Sequence, residues 1–114
     1  MPEQEPQTVR QGLYSLQFTI GGTKAGGVVF MANGRLHGGD SGFAWAGTYS
    51  EEANEVRAQL RVFQHDRAVP SAFGGLTNFT LTMVGHRTGD TIILQGTSPS
   101  APGTIGVHLS FLQA

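Results

Sequence analysis

Val56-Arg57-Ala58-Gln59-Leu60-Arg61-Val62 sets an apolar residue at every second position and a polar one between each pair. A period of two puts all four apolar side chains on one face of an extended strand, whereas a helix would scatter them around its axis. The alternation continues on both sides, from Glu55 to His65, and is the longest in the chain. The same period governs Tyr14-Ser15-Leu16-Gln17-Phe18-Thr19-Ile20, Phe79-Thr80-Leu81-Thr82-Met83 and Ile105-Gly106-Val107-His108-Leu109-Ser110-Phe111. No stretch keeps a helical period.

Between these runs lie turn signals. Asn33-Gly34 favours positive φ at both residues and is the strongest short-range hairpin signal present. Thr88-Gly89-Asp90 closes another hairpin, Glu51-Glu52-Ala53-Asn54 makes an acidic turn, and Gly21 to Gly26 reads as a flexible connection. The strands then fall at 12–20, 27–31, 35–38, 43–50, 55–65, 76–86, 91–97 and 104–112. The stretch from Asp66 to Gly75, with Pro70, breaks the pattern and has room for one helical turn.

Sequential strands with short links suit an all-β fold, a single eight-stranded antiparallel up-and-down barrel with at most one short helix, because closure removes exposed sheet edges. Residues 1–10, polar and carrying Pro2 and Pro6, read as a flexible lead-in, and 11–114 as the barrel domain. The alternation points Tyr14, Leu16, Phe18, Ile20, Trp45, Val56, Leu60, Val62, Phe79, Leu81, Met83, Ile92, Leu94, Val107, Leu109 and Phe111 inward. A barrel of this strand number is either filled by side chains or holds one small ligand.

Composition narrows the functions. The chain has 114 residues, enough for one core without covalent staples, and no cysteine, which excludes a disulfide scaffold and a thiolate nucleophile or metal site. A net charge of −1 leaves no basic field for a nucleic-acid backbone. The start lacks the basic and apolar segments of a signal peptide and no apolar run approaches a membrane span, so a cytoplasmic location is expected.

Individual motifs mostly take structural readings. Gly39-Asp40-Ser41-Gly42 is similar to the nucleophile motif of chymotrypsin-like proteases, yet that fold needs two barrels and a distant His and Asp. A turn with Gly at unusual backbone angles and Asp in a local hydrogen bond fits better. His37, His65, His86 and His108 have no paired ligand spacing and read as outward or rim residues, so neither a metal nor a cofactor is expected. Asn78-Phe79-Thr80 is a strand fragment, and Gly21 to Gly26 lacks the spacing of a phosphate-binding loop.

Four patterns, in order, carry a family resemblance: Gly12-Leu13-Tyr14-Ser15; Asn33-Gly34 followed by His37-Gly38-Gly39-Asp40; Gly47-Thr48-Tyr49-Ser50; and the acidic turn from Glu51. Together they resemble the GrlR family, small bacterial cytoplasmic proteins that restrain type III secretion genes by binding a transcriptional activator. Its members fold as eight-stranded lipocalin-like barrels and dimerise. In that family an exposed run of four acidic residues is implicated in activator recognition. Here Glu51 and Glu52 are followed by Ala53, Asn54 and then Glu55. The resemblance therefore implies a non-enzymatic negative regulator, a homodimer, and contact with a transcriptional regulator through Glu51, Glu52 and Glu55. The rival from another class is a carrier or sensor of a small apolar ligand held among Tyr14, Phe18, Trp45, Phe79, Met83 and Phe111. An enzyme is the third reading, and the state of the interior separates the first two.

Overall fold

A computed structural model describes residues 9–71 and 75–114. Eight strands follow one another: β1 (Gly12–Ile20), β2 (Thr23–Ala32), β3 (Arg35–Gly39), β4 (Phe43–Glu52), β5 (Glu55–Gln64), β6 (Asn78–Thr88), β7 (Thr91–Ser98) and β8 (Ala101–Gln113). Each pairs antiparallel with its neighbour, and β8 returns to β1, with Leu109 opposite Leu16, to close the barrel. The fold is the all-strand up-and-down barrel of lipocalin-like form that the alternation implies, and no helix occurs among the described residues.

Two differences from the sequence reading have local causes. Gly21 and Gly22 both take positive φ, 53° and 89°, so they alone form the turn and Thr23 to Gly26 belongs to β2 rather than to a loose connection. At the other difference, residues 66–71 turn without a helix, while 72–74 lie outside the described residues. Two residues of the expected lead-in, Val9 and Arg10, pack onto the barrel. Val9 is buried in the core cluster and Arg10 is tied to Asp90, whereas 1–8 lie outside the described residues.

Gly39-Asp40-Ser41-Gly42 is a turn in which Asp40 Oδ1 accepts the Gly42 and Phe43 N–H groups at 2.9 and 2.8 Å. Its glycines do not supply positive φ, contrary to expectation. Gly42 is needed because Val69 packs 2.5 Å from where a Cβ would stand. Asn33 and Gly34, by contrast, do take the left-handed region, at φ 54° and 78°.

The interior is built by alternation. Tyr14, Phe18, Val29, Met31, Trp45, Val56, Leu60, Val62, Leu81 and Ile92 are at most 1% exposed. Ile20 and Phe111 pack against this core from its margin. Two glycines are held small by the Trp45 ring together with the Gly39 and Val28 carbonyls. The Trp45 indole lies across β2 and β3, donating Nε1–H to the Val28 carbonyl at 3.0 Å, and a Cβ on Gly27 or Gly38 would sit 2.8 Å from the ring. Phe18 meets the same indole edge-on, with centroids 5.2 Å apart.

Candidate functional site

The strand ends that carry the Asn33-Gly34, Ala53-Asn54 and Gly89-Asp90 turns bring a buried ion pair together with two tyrosines. Inward parity along β4 runs Phe43, Trp45, Gly47, Tyr49, Glu51, and along β6 it runs Phe79, Leu81, Met83, Gly85, Arg87. The last member of each series is charged. Arg87 Nε donates to Glu51 Oε2 at 2.7 Å, and the two side chains are 6% and 5% exposed. Arg87 also donates Nη2–H to Asn54 Oδ1 at 3.1 Å and Nη1–H to the Gly89 carbonyl at 3.2 Å. Glu51 Oε1 is buried with no hydrogen-bond partner among the described residues.

A second polar contact closes the same mouth. The Tyr14 hydroxyl donates to the Arg10 carbonyl at 2.6 Å, while Arg10 Nη1 reaches Asp90 Oδ2 at 2.9 Å and its guanidinium lies 3.9 Å over the Phe111 ring. Burial pushes the Tyr14 phenol up to about 12, with Asp90 and Tyr49 adding to the rise and Arg10 and Arg87 opposing it. Tyr49 is also raised, chiefly by burial, against the lowering effect of its hydrogen bond from the Gly34 backbone. A polar groove of about 480 Å³ between Arg10, Gln11, Asn33, Tyr49 and Glu51 opens beside this mouth.

The three glutamates expected to form one exposed acidic surface separate. Glu51 is a correction: it points inward and is neutralised by Arg87, because its parity is that of Trp45 and Tyr49. Glu52 and Glu55 point outward, directly opposite each other across β4 and β5. Glu55 Oε1 accepts Arg57 Nε and Nη2 at 3.2 and 3.1 Å, which offsets part of the like-charge repulsion. The turn between them places Ala53 and Asn54 at φ 52° and 70°. Asn54 serves the interior, accepting from Arg87 through both its side chain and its carbonyl.

Around Glu52 and Glu55 the outer wall is concave. A groove of about 330 Å³ lies between Ser50, Glu51, Glu52, Glu55 and Arg57, and Arg57 also borders one of about 600 Å³ running past Thr48, Gln59, Thr82, Gln95 and Thr97. Of the six residues of the ligand-pocket reading, Met83 alone borders this groove. Tyr14, Phe18, Trp45, Phe79 and Met83 are at most 3% exposed, and Phe111 meets Tyr14 edge-on with centroids 5.3 Å apart. These rings occupy the interior themselves. All four histidines lie on the outside, and no group of three or more His, Asp or Glu able to hold a metal occurs among the described residues.

Arg87, Tyr49 and Asn54 escaped the sequence reading because it ranked inward positions by hydropathy. Counting parity onward from Met83 and from Trp45 would have placed Arg87 and Glu51 inside. The class that emerges is a closed lipocalin-like barrel with a ring-packed interior, one ion-paired mouth and a polar outer groove. No family profile matches this chain, and comparison with curated proteins finds no match. No helix among the described residues is long and apolar enough to cross a membrane.

Proposed function

We propose that this barrel acts through its outer wall, as a non-enzymatic cytoplasmic regulator of the GrlR kind that contacts a transcriptional regulator and works as a homodimer. The observation that supports the reading is the interior: Phe18, Trp45 and Tyr14 pack against their own neighbours, so recognition falls to the surface. The contact region is the outer groove bounded by Glu52, Glu55 and Arg57. Glu51, paired with Arg87, supports that surface from within by fixing the β4–β5 turn.

Rim charges act mainly on association rate and its salt dependence. The test is binding kinetics, with the protein immobilised, against whichever transcriptional regulator is encoded near its gene. The double variant Glu52→Gln/Glu55→Gln should slow association and flatten its salt dependence. Association at an unchanged rate would overturn the assignment of this surface. A melting screen with fatty acids and other apolar probes separates the carrier reading, since a saturable rise in melting temperature would place recognition inside the barrel and overturn the proposal.

A further inference from the structure

Along Thr23–Gly27 one side of β2 is covered by no strand among the described residues. β3 stops at Gly39, opposite Val28, because the chain turns there: Asp40 N–H donates to the Phe43 carbonyl at 2.8 Å. Residues Thr23–Gly27 therefore pair with β1 alone, and among the described residues none of the backbone hydrogen bonds outside the ladders reaches them. Which groups are free follows from the turn. A two-residue connection makes Ile20 and Thr23 the first hydrogen-bonded pair, so Thr23, Ala25 and Gly27 direct their N–H and C=O groups at β1. Lys24 and Gly26 direct theirs away. Both are exposed.

We propose that this edge is the homodimer contact, with β2 of a second copy pairing antiparallel to it about a two-fold axis at Ala25. The proposal deepens the dimeric part of the reading above and rests on it. In this register Lys24 faces Gly26 of the second copy and the reverse, and each such pair exchanges two hydrogen bonds between groups otherwise left to water. Ala25 faces itself across the axis.

Neighbouring registers fail. Moving the axis to Lys24 sets two ammonium groups directly opposite each other, which is repulsive. With the axis at Gly26, Lys24 would have to bond Val28, whose outer side already faces Gly39 and whose carbonyl accepts from Trp45. In the remaining register the new ladder ends at the two Thr23–Gly27 pairs, because Gly22 of the second copy already turns toward its own β1, so nothing has to enter the place beside Val28 that Gly39 occupies. Lys24 is the one charge on this edge, and a lone edge lysine commonly deters unwanted pairing. Facing a glycine, it meets no opposing charge. A contact of this size belongs to the small, reversible class, so association should rise with concentration.

The test uses the absence of native cysteine. Residues facing each other at a non-hydrogen-bonded position have Cα atoms about 4.5 Å apart, within disulfide range. Ala25→Cys should therefore give a covalent dimer on mild oxidation, seen on a non-reducing gel, whereas Ile93→Cys on β7 should give at least tenfold less. Adding Lys24→Pro removes a donor that faces solvent in the monomer. It should abolish the Ala25→Cys cross-link and shift wild-type-like sedimentation to monomer with the β-sheet circular dichroism retained.

A wild-type protein that dimerises in sedimentation, yet gives no Ala25→Cys cross-link and ignores Lys24→Pro, would overturn this surface and leave the dimeric reading standing. A wild type that stays monomeric at every concentration would overturn both. Protection of the Lys24 and Gly26 amides from exchange only when a different protein is added would assign the edge to that partner's strand and overturn the second-copy assignment.

Discussion

The two ends of this barrel are stoppered by different chemistry. Toward the Gly21–Gly22 turn, Trp45 and Phe18 pack edge-to-face over the bare backbone of Gly27 and Gly38. Toward the Ala53–Asn54 turn, Arg87 and Glu51 form a buried ion pair flanked by Tyr14 and Tyr49. The aromatic end gains from area removed from water and tolerates small displacements. Its polar counterpart depends on fixed donor and acceptor positions, since a buried charge that loses its partner is costly. Conformational specificity therefore belongs to the polar mouth, and bulk stability to the rings.

Trp45→Ala should bring the largest loss, roughly 4 to 5 kcal/mol by urea unfolding, from lost burial and the cavity left over Gly27 and Gly38. A loss under about 1 kcal/mol would mean that the aromatic end is not the main source of stability.

Arg87→Ala should cost about 3 to 4 kcal/mol by the same measurement, because it strands the Glu51 carboxylate inside. The paired replacement Glu51→Leu/Arg87→Met sharpens the comparison. It should recover to within about 1 kcal/mol of the wild type, since a buried ion pair often contributes little beyond an apolar pair of similar volume. If the double variant stays as unstable as Arg87→Ala, the pair is stabilising in its own right.

Alkaline pH should weaken the polar mouth selectively. The folded Tyr14 phenol titrates at about 12 against an ordinary value of 10.0, so the folded state holds a proton that the unfolded chain gives up first. Its contribution is complete below about pH 10 and is lost as pH rises toward about 12. Urea midpoints across that range should fall, and Tyr14→Phe should flatten part of the fall while losing the hydrogen bond to Arg10 at every pH. An identical decline in both proteins would remove Tyr14 from the account.

The smallest effect belongs to the outer glutamates. Glu52→Gln and Glu55→Gln should each change unfolding free energy by less than about 0.5 kcal/mol, because Glu52 is exposed and the Glu55–Arg57 pair is open to water. Glu51→Gln, one residue away from Glu52, should cost several times more.

That contrast between adjacent glutamates explains what was legible in the sequence. Strand order, the barrel and the aromatic interior follow from alternation in runs such as Val56–Val62, where hydropathy and parity agree. Glu51 and Arg87 are where they disagree: parity turns both inward, and only their mutual neutralisation makes that possible. The partner of each lies 36 residues away, a relation that local pattern does not carry. The β2 edge was hidden for a similar reason. Gly21 to Gly26 looks like loose chain, and its pairing to β1 depends on Phe18 and Ile20 lying opposite. For the acidic turn, sequence reading located the two outward glutamates correctly and missed that the third serves the interior.

Among the described strands, the β1–β8 ladder alone joins strands far apart along the chain. As the polypeptide leaves a ribosome, each hairpin from β1 to β7 can form as soon as it emerges, but the cylinder stays split until Ala101–Gln113 is made. At about 5–20 residues per second that leaves an open, curled sheet with bare margins on β1 and β7 for about one to three seconds. The seam is then the step that ends the aggregation-prone interval in each molecule's synthesis, and the last contact to assemble is the one that makes the structure whole.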